Sequence, residues 1–185
     1  MYVIYYHMGI TIYYGFSGTL KLTTMGSESG QKILSWNKTF QGYSKELLGK
    51  SPADLDLGLL RLTQLKTIEW NPGQNYQIER GISDFLEFWT HNREGRWDPN
   101  YIEPWLKAES EILPGEPKRI LLVMEDPVFI QSKVLADPWR AEHLGTLETY
   151  LSRQESYVQF TEHWNRIDQK IIVTDANDYL RKLKK

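Results

Sequence analysis

Short apolar runs rich in β-branched residues alternate along this chain with longer segments of helical periodicity. The short runs predict buried strands, and the longer segments predict amphipathic helices. A strand followed each time by a helix favours a parallel sheet covered on both faces, so we expect a three-layer α/β fold. The predicted strands are residues 10–14, 32–36, 75–79, 119–124 and 170–174. One predicted helix begins at Lys21, and the others cover residues 51–70, 82–90, 98–113, 137–164 and 176–185.

The composition excludes several classes of protein and site. The chain has 185 residues and no Cys, which rules out disulfides, thiolate metal sites and a Cys nucleophile. A net charge of -2 gives no basic excess that would indicate nucleic acid as a partner. No apolar run approaches a membrane span, and the N-terminus lacks the basic start of a signal peptide. We therefore expect a single cytoplasmic domain over residues 1–185, with neither membrane nor nucleic acid as a partner.

The segment after the first predicted strand has the layout of a phosphate-binding loop. It reads G-F-S-G-T-L-K over residues 15–21. Glycine allows backbone N–H groups to converge on phosphate, and a Lys at the end of the loop can reach the β- and γ-phosphates. Leu20 stands where the full pattern has Gly, and Leu22 where it has Ser or Thr. Taken alone, the loop favours an ordinary turn, Gly-Phe-Ser-Gly, over a phosphate site.

Four later segments add to the loop. They are Y-Q-I-E-R-G-I-S-D at 76–84, R-I-L-L-V-M-E-D-P at 119–127, the stretch 140–164, and K-I-I-V-T-D-A-N-D-Y-L-R-K-L at 170–183. Together with the loop, they resemble in order and spacing the thymidylate kinases and other deoxynucleoside monophosphate kinases, and deoxynucleoside kinases are a close second. In this resemblance, residues 140–164 are the lid and the long helix after it, and residues 170–183 are the final strand–helix unit. The resemblance runs from about residue 10 to 183 and implies a P-loop NTPase fold of the nucleoside monophosphate kinase type.

The resemblance implies ATP as phosphoryl donor and Mg²⁺ as cofactor. Backbone N–H groups of the loop would hold the donor phosphates, and Lys21 would follow the γ-phosphate. Thr23, or Thr24, would replace the metal-binding hydroxyl that is missing at Leu22, and Thr23 is the predicted metal ligand. The residues implied to bind the donor are Gly15, Phe16, Ser17, Gly18, Thr19, Leu20, Lys21, Thr23, Arg153 and Ala176.

On the acceptor side, the resemblance implies that Arg80 clamps a phosphate with its planar fork and that Glu79 orients the acceptor or a metal-bound water. A lid around residues 131–155 would close over the transferring group, with Arg140 supplying positive charge. Lys21, Glu79, Arg80 and Arg140 are thus the predicted catalytic residues. The expected partners are nucleotides, namely an ATP donor and a nucleoside monophosphate acceptor, and a homodimer is left open.

The class of acceptor depends on one missing carboxylate. A nucleoside acceptor needs a base for its 5′-hydroxyl, usually at the end of the second strand. There the chain reads I-L-S-W-N-K over residues 33–38, without an acid, which favours a monophosphate acceptor. Two alternatives stay open beside it: a deoxynucleoside kinase, and a kinase-like module that binds nucleotide without turnover because of Leu20 and Leu22. Glu79 and Arg80 are also compatible with a surface ion pair.

Overall fold

The computed structural model describes residues 9–15, 19–27, 31–34, 57–81, 99–167 and 171–184. Five strands within these ranges form one parallel sheet in the order β2-β3-β1-β4-β5. This confirms the expected α/β class, with a parallel sheet and flanking helices. The strands are β1 (Ile10–Tyr14), β2 (Lys32–Leu34), β3 (Tyr76–Glu79), β4 (Lys118–Val123) and β5 (Ile171–Asp175).

The described helices follow the predicted alternation closely. Gly145, with φ 78°, divides the predicted helical segment 137–164 into two helices, Pro138–Leu144 and Leu147–Ile167. The helical segment after β4, which ends in a π-helical turn over Ile130–Val134, was not predicted. The helix predicted over 82–90 lies outside the described residues. The helices are α1 (Lys21–Gly26), α2 (Leu57–Lys66), α3 (Pro99–Ile112), α4 (Pro127–Phe129), α5 (Pro138–Leu144), α6 (Leu147–Ile167) and α7 (Ala176–Leu183).

The chain divides into two compact units, and the first comprises Met1–Ile12 and Gly30–Lys118. In it, β2 and β3 pair in parallel, with Lys32 opposite Tyr76 and Leu34 opposite Ile78. Helix α2 contacts helix α3. The buried residues of this unit include Leu65 of α2, Leu106 of α3 and both Tyr76 and Ile78 of β3.

The second unit comprises Tyr13–Ser29 and Arg119–Lys185. Here β4 and β5 pair in parallel from Arg119 opposite Ile171 to Val123 opposite Asp175. Helix α7 contacts both α1 and β5. The core of this unit consists of Tyr13, Met25, Ile120, Leu122, Met124, Ile130, Val134, Leu144, Tyr150 and Ala176. The expectation of one domain over residues 1–185, with a lid around 131–155, stays a prediction.

Three helices of the second unit begin at an aspartate that accepts hydrogen bonds from their free N–H groups. Asp126 accepts from the backbone of Val128 and Phe129, and Asp137 accepts from that of Arg140. Asp175 does the same at the start of α7. Each such cap stabilises a helix by about 1 kcal/mol, so these turns are firmly placed. None of the helices in the described ranges combines the length and the apolar character that crossing a membrane requires.

Candidate functional site

Gly15 is the first residue after β1, and its place in the fold requires glycine. Its φ is 137°, a region that residues with a side chain rarely adopt. A Cβ there would lie 2.8 Å from Oγ1 of Thr19 and still closer to the carbonyl oxygen of Leu122 in β4. The end of β1 therefore requires glycine at position 15.

Lys21 turns back into the same loop. It is the first residue of α1, and its side chain is buried, with 6% exposed. Its Nζ donates to the carbonyl oxygen of Gly15 and lies 3.5 Å from Oγ1 of the buried Thr19. Burying an ammonium group is unfavourable unless polar groups surround it. A buried cation between a strand end and a helix N-terminus is well suited to bind an anion.

The backbone conformation at Leu20 explains why the full loop pattern has glycine at this position, immediately before the lysine. Its backbone is left-handed, with φ 56° and ψ 23°, and its carbonyl oxygen accepts the first helical hydrogen bond, from Thr24 N at 2.8 Å. That conformation costs a residue with a Cβ roughly 1–2 kcal/mol. The Leu20 side chain packs against the core of the second unit, which offsets part of this cost. Although Leu20 departs from the pattern, it keeps the left-handed turn before α1.

The predicted metal ligand is Thr23, with Thr24 as the alternative. Thr23 is exposed on α1, whereas Thr24 is buried, and its hydroxyl has no hydrogen-bond partner among the residues that the structure describes. In the described part of the chain, no three His, Cys, Asp or Glu side chains lie close enough to share a metal ion. A free hydroxyl and a buried lysine beside one loop fit a phosphate with its Mg²⁺, most of whose ligands would come from the nucleotide and water. Phe16, Ser17 and Gly18 lie outside the described residues.

Glu79 is the last residue of β3, in the first unit, and Arg80 follows it. Glu79 is buried, with 5% exposed, and Arg80 is half-buried. The backbone of Arg80 is left-handed, with φ 64°. Strained backbone of this kind persists where the surroundings fix it, and it is frequent at functional sites. These features differ from those of an exposed ion pair on a strand end.

Arg61 of α2 holds this turn and is absent from the predicted site. Its Nη2 donates to the carbonyl oxygens of Glu79 at 3.0 Å and Arg80 at 2.6 Å, and its Nη1 donates to Oε1 of Gln64 at 3.4 Å. A signal was available in the sequence L-L-R-L-T-Q-L over residues 59–65. It places Arg61 one helical turn before Leu65, on an apolar face where a charge needs partners.

The ends of β4 and β5 are joined through side chains in the second unit. Gln154 of α6 accepts from Met124 N at 2.8 Å and donates to Met124 O at 3.0 Å. Asp175 accepts from Glu125 N at 3.2 Å, and Asn177 lies 3.6 Å from the Met124 sulfur. Ala176, a predicted donor-binding residue, is fully buried. The start of α7 is thus held against the end of β4, and Gln154 is absent from the predicted site.

Arg140 and Arg153, which both fall within the predicted lid, lie on helices of the second unit and are half-buried, Arg140 on α5 and Arg153 on α6. Burial raises the pKa of the Tyr150 phenol above its ordinary value, and the positive charge of Arg140 opposes that rise. Arg140 therefore lies close enough to Tyr150 for the two groups to interact. The structure brings together Gly15, Thr19 and Lys21 in the second unit, and Glu79, Arg80 and Arg61 in the first.

Comparison with known proteins identifies a solved structure with a similar fold. No protein-family model and no curated protein matches the sequence. Among solved structures, the chain is similar to deoxyadenosine kinase from M. mycoides, determined with "products dcmp and a flexible dcdp bound". The identity is 19% and the TM-score 0.56, over 95% of this chain and 94% of that one. Over nearly its whole length, the chain therefore shares the fold of that solved structure.

Proposed function

We propose that this protein is a nucleotide kinase that transfers the γ-phosphoryl group of ATP to a deoxynucleoside or nucleoside monophosphate, giving the diphosphate. The observation that carries the proposal is the buried ammonium of Lys21, which lies inside the Gly15 loop on the carbonyl oxygen of Gly15. The P-loop fold and the glycine-specific turn at Gly15 support the same activity. The proposal includes that the protein acts in nucleotide biosynthesis in the cytoplasm.

On the donor side, the protein contributes charge and position. Phosphoryl transfer asks little covalent chemistry of the enzyme and depends on neutralising charge that spreads over the transferring oxygens. Lys21 would exchange its bond with Gly15 for phosphate oxygens, and the N–H groups at the start of α1 would point the same way. Thr23 or Thr24 would contribute a hydroxyl to Mg²⁺, whose chemistry is to neutralise the phosphates when bound.

On the acceptor side, Arg80 and Glu79 carry the proposal. A guanidinium binds a dianionic phosphate through two parallel N–H···O bonds, which favours a monophosphate acceptor over a nucleoside. The absence of an acid in residues 33–38 points the same way. Arg140 and Arg153 would add positive charge from the predicted lid. The most specific part of this proposal is that the protein chooses its acceptor as a thymidylate kinase does.

A deoxynucleoside kinase is the second candidate, and the similarity to a deoxyadenosine kinase favours it. In that case the acceptor carries no phosphate, and Arg80 would serve the donor phosphates or the structure of the turn. A module that binds nucleotide without turnover is the third outcome, and the leucines at positions 20 and 22 keep it in the test.

One experiment separates the three. The protein is incubated with γ-labelled ATP, Mg²⁺ and a panel of nucleosides and nucleoside monophosphates, and the labelled products are separated. We expect label in a diphosphate. Label in a monophosphate would establish the nucleoside kinase instead, and ATP binding without label in any product would establish the non-catalytic module.

A further inference from the structure

Two consecutive carbonyl groups at the end of β3 share one guanidinium nitrogen. Nη2 of Arg61 donates to Glu79 O at 3.0 Å and to Arg80 O at 2.6 Å. In an extended strand, the backbone is pleated and successive groups point to opposite sides. Both carbonyl oxygens reach the same nitrogen because the backbone of Arg80 leaves the strand conformation, with φ 64°.

Arg61 is rigidly placed to make these bonds. Its side chain is 2% exposed, and its Nη1 also donates to Gln64 Oε1 at 3.4 Å, one turn along the same helix. A guanidinium stays charged when it is buried and needs acceptors to offset its lost hydration. The two carbonyl oxygens serve that need at Nη2, so α2 and the end of β3 are joined by one buried charge across 18 positions of sequence.

We propose that Arg61 is a positioning residue, which holds Arg80 in the left-handed conformation from which Arg80 binds the acceptor. What Arg80 binds rests on the proposed function, whereas the clamp itself does not. Without the two hydrogen bonds, Arg80 can return to an extended backbone, which swings its side chain away from its present direction. A misplacement of about 1 Å in a binding group can cost a hundredfold in rate, so the clamp bears directly on acceptor use.

Steady-state kinetics with each substrate varied in turn test the positioning role. We expect Arg61→Met to raise the acceptor KM about tenfold or more and to change the ATP KM less than about threefold. Arg61→Lys should recover part of the loss, because an ammonium can also donate to two carbonyl oxygens. It replaces Arg61→Met wherever the latter fails to fold. An unchanged acceptor KM in the folded variants would overturn the positioning role.

Arg119→Lys is the matched control for the loss of a buried guanidinium. Arg119 is as buried as Arg61, but its Nε donates to the Tyr14 hydroxyl at 3.0 Å in the second unit. We expect Arg119→Lys to lower the melting temperature and to leave both KM values unchanged. A rise of the acceptor KM as large as that in Arg61→Lys would show that the effect is a general loss of stability, against the proposal.

Thermal unfolding without any substrate tests the clamp separately from the kinase activity. Arg61→Met is compared in the wild-type background and in Arg80→Gly, because glycine adopts φ 64° without steric cost. We expect the loss of melting temperature to be larger in Arg80→Gly, since the wild type recovers backbone strain when the clamp is removed and glycine has none to recover. Equal losses would contradict the clamp. A wild type without turnover would refute the proposed function and leave this comparison intact.

Discussion

The side-chain ammonium of Lys21 donates a hydrogen bond to the backbone carbonyl of Gly15, six residues earlier, and both residues are buried. The bond joins the end of β1 to the first turn of α1. It holds a cation beside the carbonyl oxygen of Gly15 and the hydroxyl of Thr19. In the proposed kinase, phosphate oxygens of the donor would replace that carbonyl oxygen, so little reorganisation would accompany binding.

Gly15→Ala is expected to damage the fold as well as the loop. The added Cβ meets the Thr19 hydroxyl at 2.8 Å and the Leu122 carbonyl oxygen even closer, and φ is unfavourable for any residue with a side chain. We expect a loss of roughly 2–4 kcal/mol in the free energy of unfolding, measured in urea. The matched control is Gly26→Ala, because nothing lies within 4 Å of the Cβ it adds. If the two variants were equally stable, the tight turn at Gly15 would be wrong.

At Leu20, substitutions to glycine and to alanine are expected to reverse their usual order of stability. Glycine normally destabilises a helical position by about 1 kcal/mol relative to alanine. At a left-handed residue, alanine keeps the steric cost of its Cβ and glycine does not. We therefore expect Leu20→Gly to unfold at a higher urea concentration than Leu20→Ala. The normal order, with Leu20→Ala the more stable of the two, would argue against the left-handed turn at Leu20.

Thr24 carries a buried hydroxyl that has no partner within the described part of the chain, and Thr24→Val removes that hydroxyl at nearly constant volume. Relief of an unsatisfied group is expected to raise the unfolding free energy of the ligand-free protein by about 1 kcal/mol. Thr23→Val, on the exposed neighbour, is the control and should change it by less than about 0.5 kcal/mol. Titration of ATP with and without Mg²⁺ then identifies the metal ligand. A destabilised Thr24→Val protein would mean that the hydroxyl makes a bond.

The strands, most helices and the glycine loop could be predicted because their signals are local: β-branched runs, helix caps and a glycine where the chain turns. The sequence marks Arg61 as a charge on an apolar helix face, but the partners of Arg61 and Gln154 could not be predicted, because they lie 18 and 30 positions away. The left-handed backbone of Leu20 could not be predicted from leucine itself, which rarely adopts it. The roles given to Lys21, Thr23, Glu79, Arg80, Arg140 and Arg153 stay predictions.

Arg80→Lys separates the two acceptor classes. Lysine keeps the charge but loses the planar fork, so with a monophosphate acceptor we expect a higher acceptor KM and a lower turnover at nearly constant ATP KM. With a nucleoside acceptor, the same change should weaken the use of ATP instead. If Glu79 and Arg80 formed only a surface pair, stability would shift by no more than ~1 kcal/mol and all kinetics would be intact. Steady-state kinetics with both substrates varied decide among these outcomes.

The transfer of γ-label from ATP to the best acceptor, compared between the wild type and Lys21→Ala, tests the proposed kinase most directly. The loss of one preorganised charge at the transferring group is expected to lower turnover roughly a hundredfold or more. Melting temperatures of the two proteins, measured alongside, separate this loss from unfolding. We expect rapid labelling by the wild type and almost none by a folded Lys21→Ala protein. Near-normal labelling by Lys21→Ala would show that the Gly15–Lys21 segment is not a phosphate-binding loop.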